Sequence, residues 1–403
     1  MSNSKTILLW LLAVVLCISN GAFGDEKVAP KGTSEASAPA VSITFLDVEA
    51  AKAAIIDDSL DPYFDQLQAM EMSAKTGSAI SGQTLEEQRE QCRRRYQAGV
   101  RGFSHEEKEV IRRCVKGLLS ALKQEYPLFA EMPWSFLKLS DNIEGGLSYT
   151  RDKHIILSEE TCKRLTILHQ SAPERAALSV GGMLVHEQMH VFQRTHPGLF
   201  DPLYTEIWGF VKAKEIESCP WLEKHHLANP DGTDCCWVFP IQQGENTIYI
   251  QPLVVFAEGE GLKRMPNDFR MIAVELVKSD GRFRPRVLKD GKPIFHNLLE
   301  VWEYCKVFPL TRNIYHPNEA CASLFAHIVI FDFFTPKDKL AEARRDKIKR
   351  ELAPLRKWFI ENLSKKRGVR RPKEATQKLQ PMRRNSTSES HGSSMLFYSR
   401  NFY

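Results

Sequence analysis

The sequence predicts an α+β protein, mostly helical, with a small antiparallel or mixed sheet ahead of one long helix. Three observations predict this. Capping boxes and helical periodicity fill residues 45–125. The apolar period shifts to strand-like from Trp134. A long helix follows, with Pro173 in its first turn and a stop at His196-Pro197-Gly198.

In chain order, Lys5 precedes the apolar run Thr6 to Ser19, and Ala22-Phe23-Gly24 places small residues before Asp25. Residues 1–24 therefore read as a secretory signal peptide, with an uncleaved anchor as the alternative. The run is short for a membrane span, so no span is expected in the mature chain. Val14-Val15-Leu16 before Cys17 is a poor lipoprotein box, and no lipidation is expected. Residues 25–44, rich in Ala, Pro, Ser and Lys, read as a flexible leader. The helical region 45–130 comes next. Thr84-Leu85-Glu86-Glu87 and Ser104-His105-Glu106-Glu107 start helices near 85–98 and 105–124, each hydroxyl and carboxylate satisfying end N–H groups reciprocally.

Trp134 to Ser140 predicts a strand. Gly146 to Tyr149 and His154 to Leu157 predict a hairpin around Thr150-Arg151-Asp152-Lys153. Ser171-Ala172-Pro173-Glu174 reads as a capping box opening a helix that runs to about Arg194. Residues 199–316 read as an insertion of loops and strands (237–241, 247–256, 270–277) inside a domain spanning 131–335. Pro317 opens a helix to about Phe334, apolar on nearly all sides and so buried, while Asp332 and His327 argue against a span. Pro336 opens a last amphipathic helix, through residue 363, with Leu340, Ile348, Leu352, Leu355, Trp358 and Phe359 inward and a kink at Pro354. Residues 364–403 lack periodicity and are expected to be disordered.

The composition of the 403 residues, 43% hydrophobic and 26% charged, excludes collagen, coiled coil, global disorder and a multi-span membrane protein. The formal charge of +5 invites a nucleic-acid reading, but its distribution argues against one. Residues 364–403 hold ten Lys or Arg against Glu374 and Glu389, so the body is mildly acidic and only the tail is basic. Such a tail suits an anionic surface or a cell-wall polymer. Apart from Cys17 there are eight cysteines, an even number that suggests disulfides in an exported chain. Cys92 with Cys114 is the expected pair, and Cys219 with Cys235 or Cys236 is a second.

The chemistry-bearing residues are His186-Glu187-Gln188-Met189-His190. Residues four apart share a helix face, so His186 and His190 can hold one metal ion. Glu187 can sit beside the open coordination place and act as general base on a bound water. A catalytic zinc needs a third protein ligand and keeps one place for water. Glu319 is the candidate, because a carboxylate heading so apolar a helix needs a partner. Glu217, Glu258 and Glu260 are rivals for this ligand.

On His186, Glu187 and His190, and on the Asn318-Glu319 pair downstream, the chain resembles zincin metallopeptidases of the gluzincin kind, a group that includes the thermolysin-like enzymes. It also resembles uncharacterised secreted bacterial metallopeptidases. The resemblance covers roughly 135–335. It implies a zincin-like fold, one zinc per chain, peptide-bond hydrolysis, and a sheet whose edge strand binds extended peptide. That strand would be His154 to Leu157 or its hairpin partner. Two departures stand out. The gap between His190 and Glu319 is far longer than in thermolysin-like enzymes. Four residues after Glu319, where the family places an acid that orients a histidine, this chain has Ser323, with His327 as a substitute one turn on.

The oxyanion stabiliser is open among His316, Tyr315 and Tyr204. Trp208 and Phe210 read as core, and His225-His226 as a surface pair. The expected function is an exported zinc metallopeptidase, secreted, periplasmic or in the cell envelope, acting on a peptide or protein outside the cytoplasm. The alternatives are a non-catalytic envelope binding protein with structural or no zinc, and a zinc amidase acting on cell-wall peptides.

Overall fold

A computed structural model describes residues 41–364 except 233, 234, 260 and 334–338, with no side chains described for 173–179, 339–342 and 344. The expected signal peptide, most of the leader, Pro336 and the basic tail lie outside the described residues. The N-terminal region contains the helices α1 (Val48–Ile55), α2 (Ala69–Lys75), α3 (Leu85–Gly99) and α4 (His105–Glu125), with the single turn Tyr63–Gln66 between α1 and α2. Two of the three predicted capping boxes form. The Thr84 and Ser104 hydroxyls accept the Glu87 and Glu107 N–H groups, and each carboxylate accepts the N-cap N–H in return.

The first sheet is mixed. It contains β1 (Ile43–Phe45), β2 (Val100–Arg101), β3 (Trp134–Leu139), β4 (Tyr149–Arg151) and β5 (His154–Ser158), in the order β1-β3-β5-β4, with β2 beside β1 along β3. β1 and β5 run parallel to β3, and the edge strand β4 is antiparallel to β5. The hairpin turn is Asp152-Lys153, two residues later than its predicted start, with Asp152 at φ +50°.

Strand alternation splits this sheet between two cores. Trp134, Phe136, Ile155 and Leu157 face α4 and the later helices. Leu137, Leu139, Tyr149 and Ile156 face the N-terminal helices through Ala51, Tyr63 and Tyr96. The N-terminal helical region is therefore a layer of the same fold and contributes β2 to the sheet, while β1 draws Ile43 and Thr44 from the end of the expected flexible leader.

Two helices follow: α5 (Glu159–Ser171), which was not foreseen, and α6 (Pro173–Thr195). The capping box expected at Ser171 does not form. Ser171 closes α5, and its hydroxyl donates back to Ile167 O at 3.0 Å, so α6 begins from Ala172 with Pro173 in its first turn. Leu184, Val185 and Phe192 of α6 are fully buried, as expected. The buried helix α7 (Pro317–Phe333) packs on α6. Gly181 permits this approach: a Cβ there would lie 3.2 Å from Leu118 and 3.3 Å from Ile330. The last helix breaks at Leu352 rather than kinking, giving α8 (Lys339–Glu351) and α9 (Ala353–Leu363), with Pro354 in the first turn of α9. Leu352, Leu355, Trp358 and Phe359 are buried and Ile348 is half-buried; Leu340 has no described side chain.

The insertion forms an antiparallel sheet: β6 (Val211–Lys212), β7 (Trp237–Gln243), β8 (Asn246–Phe256), β9 (Phe269–Ser279), β10 (Arg282–Pro285) and β11 (Phe295–Asn297). Val238, Val255, Val274 and Phe283 give it its own core. Trp208 and Phe210 join the main core, as expected.

Two expectations are corrected. Neither expected disulfide forms: Cys92, Cys114 and Cys219 are thiols, and Cys92 and Cys114 sit in different hydrophobic clusters, on opposite faces of the first sheet. His225-His226 is not a surface pair. His225 is buried and stacks on Trp221 at 4.2 Å, because the short helix Pro220–His225 turns it back over that ring. His226 borders a cavity with Cys235 and Trp237, and burial lowers its imidazole to about 4. No described helix is long and apolar enough to cross a membrane.

Candidate metal centre

Helix α6 presents His186 and His190 on one face, and the first turn of α7 brings Glu319 against them. His186 Nε2 and His190 Nε2 are 3.0 Å apart. Glu319 Oε2 lies 3.4 Å from the first and Oε1 3.7 Å from the second. Among the described residues this is the cluster of three with metal-holding geometry, its ligand atoms lying within 4.8 Å of one another. Two rivals fall away: Glu217 and Glu258 are exposed, and Glu258 bonds Trp221 and Lys292; the third, Glu260, lies outside the described residues.

Each ligand is held by a second contact. Gln193, three residues after His190 on the same helix, places Oε1 at 2.9 Å from His190 Nδ1. Its amide orientation is fixed because Nε2 donates to Asn318 O, a group that can only accept, and to the Tyr204 hydroxyl. His190 Nδ1 must then carry the proton, which leaves Nε2 bare toward the cluster. Ser323 Oγ lies 3.3 Å from His186 Nδ1, so the serine itself takes the orienting place and His327 does not. Asn229 Nδ2 and Asn313 Nδ2 donate to the two Glu319 oxygens, each at 2.7 Å. The two imidazoles hold the Glu319 carboxyl well below its ordinary range despite burial. Burial opposes charge on His190, but Glu319 and Asp231 outweigh it and raise its pKa.

Glu187 is 4% exposed, and its Oε2 meets no hydrogen-bond partner among the described residues. Burial, then the like charges of Asp231 and Glu319, push its pKa well above the carboxylate range. The structure separates the three oxyanion candidates. Tyr204 is committed, donating to Asn318 Oδ1 at 2.9 Å. His316 accepts the Asn318 N–H through Nδ1 and packs on Gly232. Tyr315 faces the cluster, where burial and the adjacent Glu319 hold its proton on.

Comparison with family models, curated proteins and solved structures finds no match to this chain.

The donor set fits zinc: two imidazole nitrogens and a carboxylate converge, each oriented from behind, beside a buried carboxyl with an orphaned oxygen. Sequence reasoning missed Gln193, Asn229, Asp231 and Asn313. Gln193 was findable, since it lies one turn from His190. Asn229-Pro230-Asp231-Gly232 carries turn chemistry, but nothing local says what the turn faces.

Proposed function

We propose that this chain is an exported zinc-dependent peptidase of the gluzincin kind, with His186, His190 and Glu319 as zinc ligands. The observation that carries the reading is the convergence of the two motifs across an inserted sheet. The mixed sheet with an antiparallel edge strand beside α6 supports it too. Bound there, zinc supplies a Lewis acid and lowers the pKa of its water to about 7. With the metal in place, Glu187 would accept a proton from water and pass it to the leaving amine. Its dry surroundings, which favour the neutral acid, help it hold the proton between those events. Tyr315 donates its hydroxyl proton toward the developing oxyanion. Export rests on the N-terminal signal, and the basic tail suits an anionic wall or membrane surface.

Elemental mass spectrometry of the full mature chain tests the metal. Near-stoichiometric zinc, lost in Glu319→Ala, is expected. Glu187→Gln should keep the zinc and lose cleavage of a peptide library; cleavage at the parent rate would sink the mechanism. A non-catalytic protein with structural zinc is the second reading. It is favoured by the closure of the site, where, among the three candidate ligands and Glu187, only His186 is partly exposed, its side chain at 18%. A zinc that binds no hydroxamate would favour that reading.

A further inference from the structure

The edge of the first sheet, where the resemblance implies that extended peptide binds, is closed by the chain itself. The two-residue turn makes Arg151 and His154 a hydrogen-bonded pair, so alternation leaves Thr150 as the residue of β4 whose N–H points outward. That N–H donates to Asp231 Oδ1 at 2.7 Å, and the Thr150 hydroxyl donates to the same oxygen at 2.7 Å. Thr150 is 0% exposed. Beyond it, Arg151 is tied to Asp57 O and the Asp58 carboxylate.

The covering segment is fixed from below by buried charges. The Ala228 N–H donates to Glu71 Oε2 at 2.9 Å, and its carbonyl accepts Lys75 Nζ at 2.8 Å. Lys75 and Glu71 are essentially inaccessible. Asn229 is bound to Glu319, and Arg194 donates to Pro230 O at 2.8 Å. A segment anchored at each of these residues is a wall of the site.

We infer that Asp231 and the segment Ala228–Asp231 set substrate specificity: they deny β4 to an added strand, so substrates arrive from the His186 side as short peptides or free chain termini. This rests on the metallopeptidase reading.

The test uses the zinc-loaded full chain and two peptide hydroxamates, with one-residue and eight-residue tails, their affinities read by calorimetry. For the parent, the two should agree within about threefold, short of the roughly tenfold that two added main-chain hydrogen bonds contribute. In Asp231→Ala, which frees the Thr150 N–H, the long tail should gain about tenfold. Asp231→Asn keeps an accepting oxygen and should behave as the parent. Both variants lose the charge, so their difference reads the hydrogen bond alone. Amide exchange at Thr150 should be slow in the parent and Asp231→Asn and faster in Asp231→Ala. A tenfold gain from the long tail in the parent would overturn the inference, and so would an Asp231→Ala variant indistinguishable from it. If Asp231→Ala does not fold, the parent comparison still decides. Failure of a zinc-holding parent to bind either hydroxamate would instead overturn the peptidase reading.

Discussion

Replacing Lys75 with Met keeps the volume of a fully buried side chain and removes its charge. Lys75 Nζ lies 3.4 Å from Glu144 Oε2 and 3.9 Å from Glu71 Oε2, beside the hydroxyl of Tyr63. Tyr63 and Tyr96 both donate to Glu144. At an effective dielectric of about 20, charges at those separations attract by about 5 and 4 kcal/mol. Part of that is spent on desolvation, and breaking such a pair from one side costs roughly 3–5 kcal/mol. The folded variant can limit the loss by taking up a proton. Holding a carboxyl neutral costs about 1.4 kcal/mol for each pH unit above its unfolded pKa near 4.5.

The variant should therefore lose roughly 2–3 kcal/mol more at pH 7 than at pH 5, on top of about 1–3 kcal/mol at both for the Ala228 carbonyl left without its Lys75 donor. The parent has the same sign in weaker form. Burial lifts Glu71 from 4.5 to about 7. Its contribution is fully present below pH 4.5 and is lost as the pH rises through 7. Urea unfolding of parent and Lys75→Met at the two pH values reads this directly. A loss below about 1 kcal/mol at pH 7, or an equal loss at both pH values, would refute the reasoning.

Three other outcomes are expected. Ser323→Ala, which removes the group on His186 Nδ1, should weaken zinc about tenfold in a competitive chelator titration, and Ser323→Asp should restore it. Tyr315→Phe should keep one zinc per chain and lower kcat by about 100-fold or more with little change in KM, as for loss of an oxyanion donor. Burial pushes the Cys114 thiol up to about 11 and Cys162 up to about 12, so iodoacetamide at pH 8 should leave both unlabelled until urea is added, as read by peptide mass.

What the sequence revealed was local. Capping boxes at Thr84 and Ser104 depend on residues three apart, and the faces of α6 and α7 follow from spacing alone. Helix α5 escaped because its start, Ser158, also ends a strand, and its last residue, Ser171, resembles the cap of the next helix. The break at Leu352 needed only Pro354, whereas β6 and β11 are too short for periodicity to show. At the centre, the three candidate ligands and Glu187 were legible from their motifs. The asparagines on Glu319 were not, because Asn229 arrives from 90 positions away, a contact with no local signature. The disulfide expectation failed for a related reason. The helices bearing Cys92 and Cys114 are adjacent in sequence but pack on opposite faces of the sheet.

The bond from Lys75 to the Ala228 carbonyl spans 153 positions, and the return bond from the Ala228 N–H to Glu71 spans 157. A ribosome makes the N-terminal helices long before it reaches that partner. Until residue 228 emerges, α2 carries an ammonium and a carboxylate whose backbone partners do not yet exist, so this layer cannot settle while nascent. Removing the insertion would likewise leave the first helices without their anchor. Folding of this chain is thus set by the arrival of its middle, and release of the N-terminal third alone should yield an aggregation-prone intermediate rather than a native fragment.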